Sequence, residues 1–440
     1  MITEKELDFV RQALEMARRA GAQHARATLS KSEEDLVATL DGEVDRVTHC
    51  ADRSLSLALF VDGRYGSYST NKLDSASLEG FIARAVAATR MVAEDPLRVL
   101  PDPARCCHDA LTGNELGLVD PARDSITPAT RQQIALQASA FKSDSRIISE
   151  EGEYSDSVYD SVVMDTNGVC CRHSETSFDY GVEITIESEG EKYSGYWWDA
   201  SSRLAELNAA ACGREALSRA IGQIGSEPAP SGRYTAVIDA EMASKVVSPL
   251  LRALSGYAIQ QQNSFLPDSL GRQLFPEGLT LLDLPRIPGQ TCSKYFDSEG
   301  VATVEAPVIE RGVVKEYFIN SYMAGKLQMA PTVEDATRPK VLPWPCAGLD
   351  RDAILRRCGS GILVTDFNGG NSNPVTGDFS YGIEGYLFEN GRIVRPVSGM
   401  LMTGNFLTLW SRLLAAGDDA RPCQTKLVPT LAFAEVDFSG

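Results

Sequence analysis

Apolar residues change their spacing along the first part of the chain, and this change limits the fold more than any other feature. From Glu4 to Ala20 they recur every three or four positions and Gly21 follows, which predicts an amphipathic helix that ends at a glycine. Three later segments alternate apolar with polar residues and predict a small antiparallel sheet: 25–29, 36–40 and 54–60. Helical spacing then returns at 78–92. Residues 1–95 are therefore predicted to form an N-terminal α+β domain.

Proline-rich and strand-rich segments divide the rest of the chain. The prolines within 96–128 predict an extended linker. Residues 129–226 predict a middle α/β-meander domain, in which successive strands lie between two helices. Short strands punctuated by Gly, Pro and Asn predict a strand-rich C-terminal domain at 232–440, with a helix expected over about 242–258. The predicted fold class is therefore α+β in three domains.

The charge of the chain argues against one class of function. It contains 42 Lys and Arg residues and 60 Asp and Glu residues, which gives a net charge of −18. This charge repels nucleic-acid phosphates and no Lys/Arg-rich cluster makes a local exception, so direct nucleic-acid binding is not expected. No apolar run approaches the roughly 20 residues of a membrane span, and the first residues are too charged for an export signal. We therefore expect a cytoplasmic protein, without membrane contact, whose ten cysteines are reduced.

Thiols and imidazoles cluster at two places, Cys106–His108 and Cys170–His173. In a strand, Cys171 and His173 would share one face, as the ligands of a soft metal would need to. Neither cluster has the C-x-x-C spacing of structural zinc, so buried core residues are the favoured interpretation and no metal ligand is predicted. All four histidines lie in the first half of the chain, and no phosphate-binding or dinucleotide motif is present. No catalytic residue is therefore predicted.

Four segments in the second half of the chain carry a distinctive pattern. The longest is D-F-N-G-G-N-S-N-P-V-T-G-D-F-S-Y-G-I-E-G at 366–385, and F-E-N-G-R-I-V-R-P-V follows at 388–397. D-S-E-G-V stands at 297–301 and N-S-Y-M-A-G-K-L at 320–327. Each segment taken alone is explained as a turn or a glycine-rich loop. Together and in this order, they resemble the signature of the TldD/PmbA family, also known as modulators of DNA gyrase.

The family has two types of subunit, and the resemblance favours one of them. TldD-type subunits carry an H-E-x-x-x-H helix that binds zinc together with a cysteine from a C-terminal loop. The equivalent stretch here, 241–262, contains no histidine, and Cys423 alone cannot hold zinc. The run S-G-Y-A-I-Q-Q-Q-N-S-F-L at 255–266 instead resembles the PmbA-type (TldE-type) subunit. The resemblance therefore implies a chain without a cofactor, whose TldD-type partner supplies the zinc.

The resemblance also implies a function. TldD-type and PmbA-type subunits pair into a heterodimeric metallopeptidase that degrades or processes unfolded peptides, so this chain would be its non-catalytic half, with a homodimer possible when it is alone. An extended peptide can be held by main-chain hydrogen bonds to a strand edge. Six residues of the glycine-rich loop are the candidates for lining the peptide chamber: Asn368, Gly369, Gly370, Asn371, Gly377 and Asp378.

Two other functions stay open from the sequence. One is a self-sufficient homodimeric hydrolase that uses Asp297, Glu299 and Asp378 for acid–base chemistry or as metal ligands. Because Asp often caps turns, that role is the simpler interpretation of Asp297 and Asp378. The other is a peptide-binding scaffold without a peptidase partner. Cleavage of peptides by the chain alone would favour the hydrolase, and co-purification with an H-E-x-x-x-H chain would favour the heterodimer.

Overall fold

The computed structural model describes all 440 residues and begins with a helix, a three-stranded meander and a second helix. The first helix is fixed at its start by Thr3 and Glu6, each of which accepts a hydrogen bond from the other's backbone N–H. The bounds of these elements are α1 (Glu4–Arg19), β1 (His24–Leu40), β2 (Glu43–Val61), β3 (Arg64–Thr70) and α2 (Ser75–Thr89).

The middle of the chain repeats this arrangement of helices around a meander, with longer strands. Each strand of the meander pairs with the next one in antiparallel fashion. The bounds are α3 (Pro128–Gln137), β4 (Ile147–Asp165), β5 (Cys170–Ser188), β6 (Glu191–Ser201) and α4 (Ala209–Gly222).

The two meanders form one continuous antiparallel sheet of six strands, in the order β3-β2-β1-β4-β5-β6. The junction is β1 against β4, which pair from Arg26 opposite Asp165 to Leu40 opposite Glu151. One buried cluster packs α1 and α2 against the first strands, and another packs α4 against β4 and β5. The predicted 1–95 and 129–226 domains therefore share a sheet.

β1 differs from its prediction, because 25–29 and 36–40 belong to a single strand of 17 residues. Its polar middle, Lys31–Asp35, breaks the apolar alternation. The backbone there still pairs with β2 on one side and β4 on the other, since strand hydrogen bonds do not depend on side-chain polarity.

Residues 96–128 contain two short 3-10 turns, Pro103–Arg105 and Pro121–Ser125, and no longer element before α3. The segment lies along the free edge of the first half of β5. Backbone N–H groups of β5 at Arg172, Ser174 and Thr176 donate to its carbonyls at 2.8–3.1 Å. These bonds satisfy an edge that would otherwise be exposed.

The C-terminal part of the chain is rich in strands, as predicted. Its sixteen elements are β7 (Gly232–Ile238), α5 (Ser244–Ala253), α6 (Gly256–Gln260), β8 (Leu281–Asp283), β9 (Ala306–Glu310), β10 (Val313–Val314), α7 (Ser321–Leu327), β11 (Pro339–Val341), α8 (Arg351–Cys358), β12 (Gly361–Asp366), β13 (Gly370–Ser372), β14 (Asp378–Glu389), β15 (Arg392–Asn405), α9 (Phe406–Ser411), β16 (Leu413–Ala416) and β17 (Leu431–Ser439).

Five of these strands close into a barrel. They follow the order β12-β7-β17-β15-β14, and β12 also pairs with β14, which completes the ring. A core of 40 buried residues, including Trp410 and Phe433, fills the C-terminal domain and packs α5 against the barrel. The four short strands β8–β11 form a separate sheet. None of the helices of the molecule is both long and apolar enough to cross a membrane.

The helix expected over 242–258 is divided into α5 and α6. The chain turns at Leu254 and Ser255, where the Leu254 carbonyl accepts from Phe318 N–H at 3.0 Å and Gly256 N–H donates to the Phe318 carbonyl at 2.7 Å. These bonds to a distant residue replace the hydrogen bonds of the next helical turn. The spacing of apolar residues, from which a single helix was predicted, does not reveal such long-range bonds.

Candidate functional site

The predicted glycine-rich loop is a hairpin at an edge of the C-terminal sheet. β13 pairs with the start of β14, where Gly370 lies opposite Tyr381 and Ser372 opposite Phe379. Asn373 closes the turn, because its N–H donates to the Asp378 carbonyl and its own carbonyl accepts from Gly377 N–H, each at 2.8 Å. β13 is the last strand in the sheet order, and its residues are exposed. One edge of β13 is therefore free.

Two of the predicted glycines are required by the backbone of this hairpin. Gly370 has φ +98°, and a Cβ there would lie 2.0 Å from the Ser380 carbonyl oxygen. Gly377 has φ +81°, and a Cβ there would approach the Phe265 ring to 3.0 Å. The close approach of β13 to β14 thus depends on glycine.

The Asp378 carboxylate holds the turn together. It accepts hydrogen bonds from the Asn405 amide at 2.9 Å and the Thr376 hydroxyl at 2.7 Å, and the Asn405 amide also donates to the Thr376 carbonyl at 2.8 Å. The bonds from Asn405 and Thr376 lower the pKa of Asp378. An exposed carboxylate that stays ionised is better suited to capping a turn than to general acid chemistry.

The tip of the hairpin faces α5 across a cavity of about 160 Å³. Ser248, Pro249 and Arg252 line it from the helix, and Ser372, Asn373 and Pro374 line it from the hairpin. Lys245, one turn earlier on α5, places its ammonium 5.7 Å from the centroid of the Tyr381 ring. The structure thus brings the glycine-rich loop next to the helix in which the family resemblance places the zinc motif of the other subunit type.

The six predicted chamber residues lie on the hairpin but do not line this cavity themselves. Asn368 points to the other side, where its amide donates to the Glu384 carboxylate at 3.1 Å. The cavity residues on α5 and Asn263 were not predicted as site residues: both segments were compared with the family, but their sequence does not show which side chains face a cavity. A lining role for Asn368–Asn371, Gly377 and Asp378 stays a prediction.

A second cavity, of about 410 Å³, lies between the middle and C-terminal domains. Its walls come from α4, from the residues before α5 and from β14, and they include Ser218, Gln223, Glu241, Met242, Glu384 and Tyr386. Glu384 adjoins it and also binds Asn368. The base of the hairpin and the N-terminal end of α5 therefore meet at this cavity.

Glu241 begins the stretch that corresponds to the zinc helix, and its side chain is fully engaged. The carboxylate accepts hydrogen bonds from the Trp198 indole N–H and the Arg421 guanidinium. The Gln424 amide donates to the same carboxylate at 3.3 Å and to the Glu241 carbonyl at 3.1 Å. With 6% of its side chain exposed, Glu241 is not available to activate a water molecule.

The residues around α5 do not fit a zinc ion. The helix presents Lys245, Ser248 and Arg252 towards the hairpin, and two of these are cations that would repel a metal. Burial raises the pKa of the Cys423 thiol to about 11, and this single thiol has no histidine beside it with which to form a zinc site. The side chains around α5 therefore do not supply the ligand set of a zinc site.

The three carboxylates considered for a hydrolytic site have separate partners. Asp297 Oδ1 accepts from the N–H groups of Glu299 and Val301 at 2.9 and 3.0 Å, as a turn-capping residue does. Glu299 accepts from Ser321 N–H at 2.8 Å. Asp378 belongs to the hairpin turn described above. Burial nevertheless raises the pKa of Asp297 to about 6.

Of the two Cys/His clusters, the fold places the Cys171 thiol of one beside the backbone of Cys107 in the other. Cys171 Sγ lies 3.1 Å from the carbonyl oxygen of Cys107. The imidazoles have other partners: His173 Nε2 lies 3.4 Å from Glu175 Oε2, and His108 Nε2 lies 3.1 Å from the Pro103 carbonyl oxygen. The soft-metal site considered for Cys171 and His173 therefore lacks its geometry.

Together, the fold and the site define an α+β protein in which a strand barrel presents a glycine hairpin and a histidine-free helix to one cavity. Three family models match the chain in order: PmbA/TldA metallopeptidase domain 1 over 25–89, the central domain over 122–224 and the C-terminal domain over 231–440. The chain belongs to this PmbA/TldD family, which confirms the resemblance drawn from the motifs, and the fold class is confirmed with it.

Individual relatives agree along the whole chain. It is 37% identical to a DNA gyrase modulator from Bacteroides thetaiotaomicron, with a TM-score of 0.96 and full coverage of both chains. Metalloprotease PmbA of Escherichia coli O157:H7 is 28% identical over 97% of this chain and 95% of that protein. TldE from Thermococcus kodakarensis has the same fold, with a TM-score of 0.84 at 17% identity, and covers 98% of this chain and 100% of that one.

Proposed function

We propose that this chain is the non-catalytic, TldE-type subunit of a heterodimeric zinc peptidase that degrades or processes unfolded peptides. The observation that carries the proposal is the composition of α5 and its surroundings. Towards the cavity and the hairpin, α5 presents lysine, serine and arginine and no histidine, and the Glu241 carboxylate is held by Arg421. A peptidase built on this fold then takes its metal from a TldD-type partner.

The role of this chain in the complex is to hold an extended substrate. β13 offers a free backbone edge at Gly370–Ser372, next to the cavity beside α5. A peptide added there as a further strand would be bound through its main chain, so many sequences would be accepted. Folded proteins would be excluded, since only an extended segment can pair with a strand edge.

Further parts of the proposal concern location and partners. The ten cysteines are all free, which suits a reducing cytoplasm. The net charge of −18 disfavours direct contact with DNA, so the gyrase-modulator description of a relative would reflect cleavage of a peptide or protein that acts on gyrase. Without its partner, the chain could still form a homodimer.

The test is a measurement of zinc content and peptide cleavage for this chain alone, for a TldD-type subunit from the same cell, and for their mixture. We expect cleavage of an unfolded peptide only when a TldD-type chain is present, with no zinc retained by this chain alone. A matched control replaces the zinc-motif glutamate of the TldD-type chain by glutamine, which should abolish cleavage in the mixture. Zinc-dependent cleavage by this chain alone would refute the proposal.

One observation favours the self-sufficient hydrolase as a second candidate. Asp297 is half-buried near the buried Glu299, and a carboxyl whose pKa is raised to about 6 is suited to proton transfer near neutral pH. The same residue caps a turn through two backbone hydrogen bonds, which explains its presence without catalysis. Cleavage by the isolated chain that is lost in Asp297→Asn would establish this alternative. A peptide-binding scaffold without a peptidase partner would cleave peptides neither alone nor in the mixture with a TldD-type chain.

A further inference from the structure

The cavity of about 410 Å³ between the middle and C-terminal domains is lined by a buried polar side chain that lacks a partner for its oxygen. This residue, Gln223, caps the end of α4 and is 7% exposed. Its side-chain Nε2 donates to the Gly385 carbonyl at 3.4 Å, which fixes the orientation of the amide. Its Oε1 accepts no hydrogen bond from any group of the chain. A buried acceptor is costly in free energy unless a bound group donates to it.

Two carboxylates that line the same cavity, Asp366 and Glu384, are not paired with a cation of this chain. Their hydrogen bonds come from neutral groups. Glu384 accepts from the Asn368 amide at 3.1 Å, and Asp366 accepts from Phe367 N–H at 2.7 Å. The cavity therefore combines negative charge that is not neutralised with a buried acceptor.

The positive groups around the cavity already have partners. Arg219 Nε lies 3.2 Å from Glu215 Oε1, and Arg351 Nη1 lies 3.1 Å from Asp239 Oδ2. The C-terminal end of α4, which also lines the cavity, adds the negative end of a helix dipole. Each of these features favours a cation in the cavity over an anion.

The arrangement suits an ammonium group better than a metal ion. No three acidic, histidine or cysteine side chains around this cavity have ligand atoms within 4.8 Å of one another, as a shared metal ion would need. An ammonium group instead carries three N–H donors that can reach separate acceptors. One donor can satisfy an amide oxygen while the others meet carboxylates.

We propose that this cavity binds a primary ammonium group of a peptide, either the N-terminal one or that of a lysine side chain. The ammonium donates to Gln223 Oε1 and pairs with the carboxylates of Asp366 and Glu384. The inference rests on the proposed function for the peptide nature of the ligand. It adds a preference for charge that pairing of the peptide main chain alone does not supply.

The cavity lies near the strand edge to which the proposed function assigns the peptide. β12 and β13 both pair with β14, and Asp366 ends β12 four residues before Gly370 begins β13. An extended chain advances about 3.3 Å per residue. A peptide that pairs with β13 therefore needs only a few more residues to bring an ammonium group to the rim of the cavity.

The experiment measures the binding of three short peptides to the full-length chain alone, by ligand-observed NMR titration in buffer that contains a metal chelator. The probes are trialanine amide, which has an N-terminal ammonium, N-acetyl-alanyl-lysyl-alanine amide, which has only a lysine ammonium, and N-acetyl-trialanine amide, which has neither. We expect at least one ammonium-bearing peptide to bind about tenfold more tightly than the doubly blocked trialanine. The peptide that does so identifies the source of the ammonium. Equal affinities for all three, or binding of none, would overturn the proposal.

Two variants place the ammonium in the cavity. Glu384→Gln keeps the side-chain volume and removes the charge, and Gln223→Met removes the acceptor, so each should weaken binding of the preferred peptide by about fivefold or more. The matched control is Glu389→Gln, on the same strand but exposed and outside the cavity, which should bind as the native chain does. Native affinity in Glu384→Gln would overturn the proposal, even if Gln223→Met does not fold.

This test is independent of the zinc test of the proposed function, because it uses the isolated chain and measures no cleavage. Loss of the ammonium preference would leave a zinc-dependent mixture unaffected. A mixture without peptidase activity would likewise leave a measured ammonium preference in place.

Discussion

The buried carboxylate of Glu241 is paired with the guanidinium of Arg421 within the C-terminal domain, and Trp198 of the middle domain hydrogen-bonds to both side chains. Arg421 lies at the far end of the chain, 180 residues away. Its guanidinium also donates to the Trp198 carbonyl and stacks over Trp197 at 4.1 Å. Both tryptophans belong to β6, so one arginine holds the sheet and the start of α5 together.

Replacing Arg421 should destabilise the protein strongly. Arg421→Ala leaves the Glu241 carboxylate, 6% exposed, without its charge partner, and removal of one member of a buried pair costs about 3–5 kcal/mol. We expect a lower midpoint in the first thermal unfolding transition. The control is Arg233→Ala, whose pair with Asp437 is more than half exposed and should contribute at most about 1 kcal/mol. Equal effects of the two variants would show that the buried Arg421–Glu241 pair stabilises the fold no more than the exposed pair does.

A double variant separates charge from packing at this pair. Glu241→Gln combined with Arg421→Met removes both charges and retains much of the side-chain volume, so it should recover part of the stability lost in Arg421→Ala. The measurement is a double-mutant cycle on the same thermal transition. Additive losses in the cycle would contradict a direct interaction between the two side chains.

Gly370→Ala should open the hairpin. The new Cβ would lie 2.0 Å from the Ser380 carbonyl oxygen at a backbone φ of +98°, and a strained residue of this kind costs about 1–3 kcal/mol. We expect faster chymotrypsin cleavage after Phe367 and, if the proposed function is right, weaker peptide cleavage by the mixed subunits. Gly232→Ala is the control, because a Cβ there meets nothing closer than the Tyr234 ring at 3.7 Å. Equal resistance of the hairpin to chymotrypsin in both variants would show that position 370 does not require glycine.

Asp297 should make stability depend on pH in a defined direction. Burial raises its pKa from 3.8 to about 6, so the folded state holds the proton more tightly than the unfolded state. The contribution of this proton to stability is complete below about pH 4 and is lost as the pH rises through about 6, and the difference amounts to roughly 3 kcal/mol at most. Asp297→Asn should therefore gain stability relative to the native chain between pH 4.5 and 7.

Urea unfolding at several pH values in this range measures the effect of Asp297. The exposed Asp8, replaced in the same way, serves as the control and should run parallel to the native chain. A constant difference between Asp297→Asn and the native chain at every pH would mean that the carboxyl group ionises normally in the folded protein. The pH dependence would then need another origin.

Asp378→Asn should leave peptide cleavage by the mixed subunits within about twofold of the native value, because the native carboxylate caps a turn. Its hydrogen bonds from Asn405 and Thr376 explain its position without any role in proton transfer. Steady-state cleavage of one peptide by native and variant mixtures measures this. A loss of tenfold or more at unchanged stability would instead support a direct role of Asp378 in the reaction.

Much of the secondary structure and the family were accessible from the sequence, because local patterns encode them. Helical spacing after Thr3 gives α1, and the order of the glycine-rich motifs identifies the family without knowledge of any contact. The hairpin at 370–378 was also predictable as a turn, since Gly370 and Gly377 adopt positive φ angles and the Asn373 side chain accepts from backbone N–H groups within the turn. The absence of histidine after residue 173 is a sequence fact too, and it already separates the chain from a zinc-binding helix.

Contacts between residues that are distant in the sequence were decided by the tertiary structure alone. The pairing of β1 with β4 merges two predicted domains into one sheet, and Phe318 ends α5 by pairing with the chain after it. Glu241 meets Arg421, and Cys107 meets Cys171, across 180 and 64 residues. Such contacts follow from how the elements pack, and residue spacing along the chain carries no record of them. The sequence therefore determined the family and the missing zinc ligands, and the fold determined which side chains share a site.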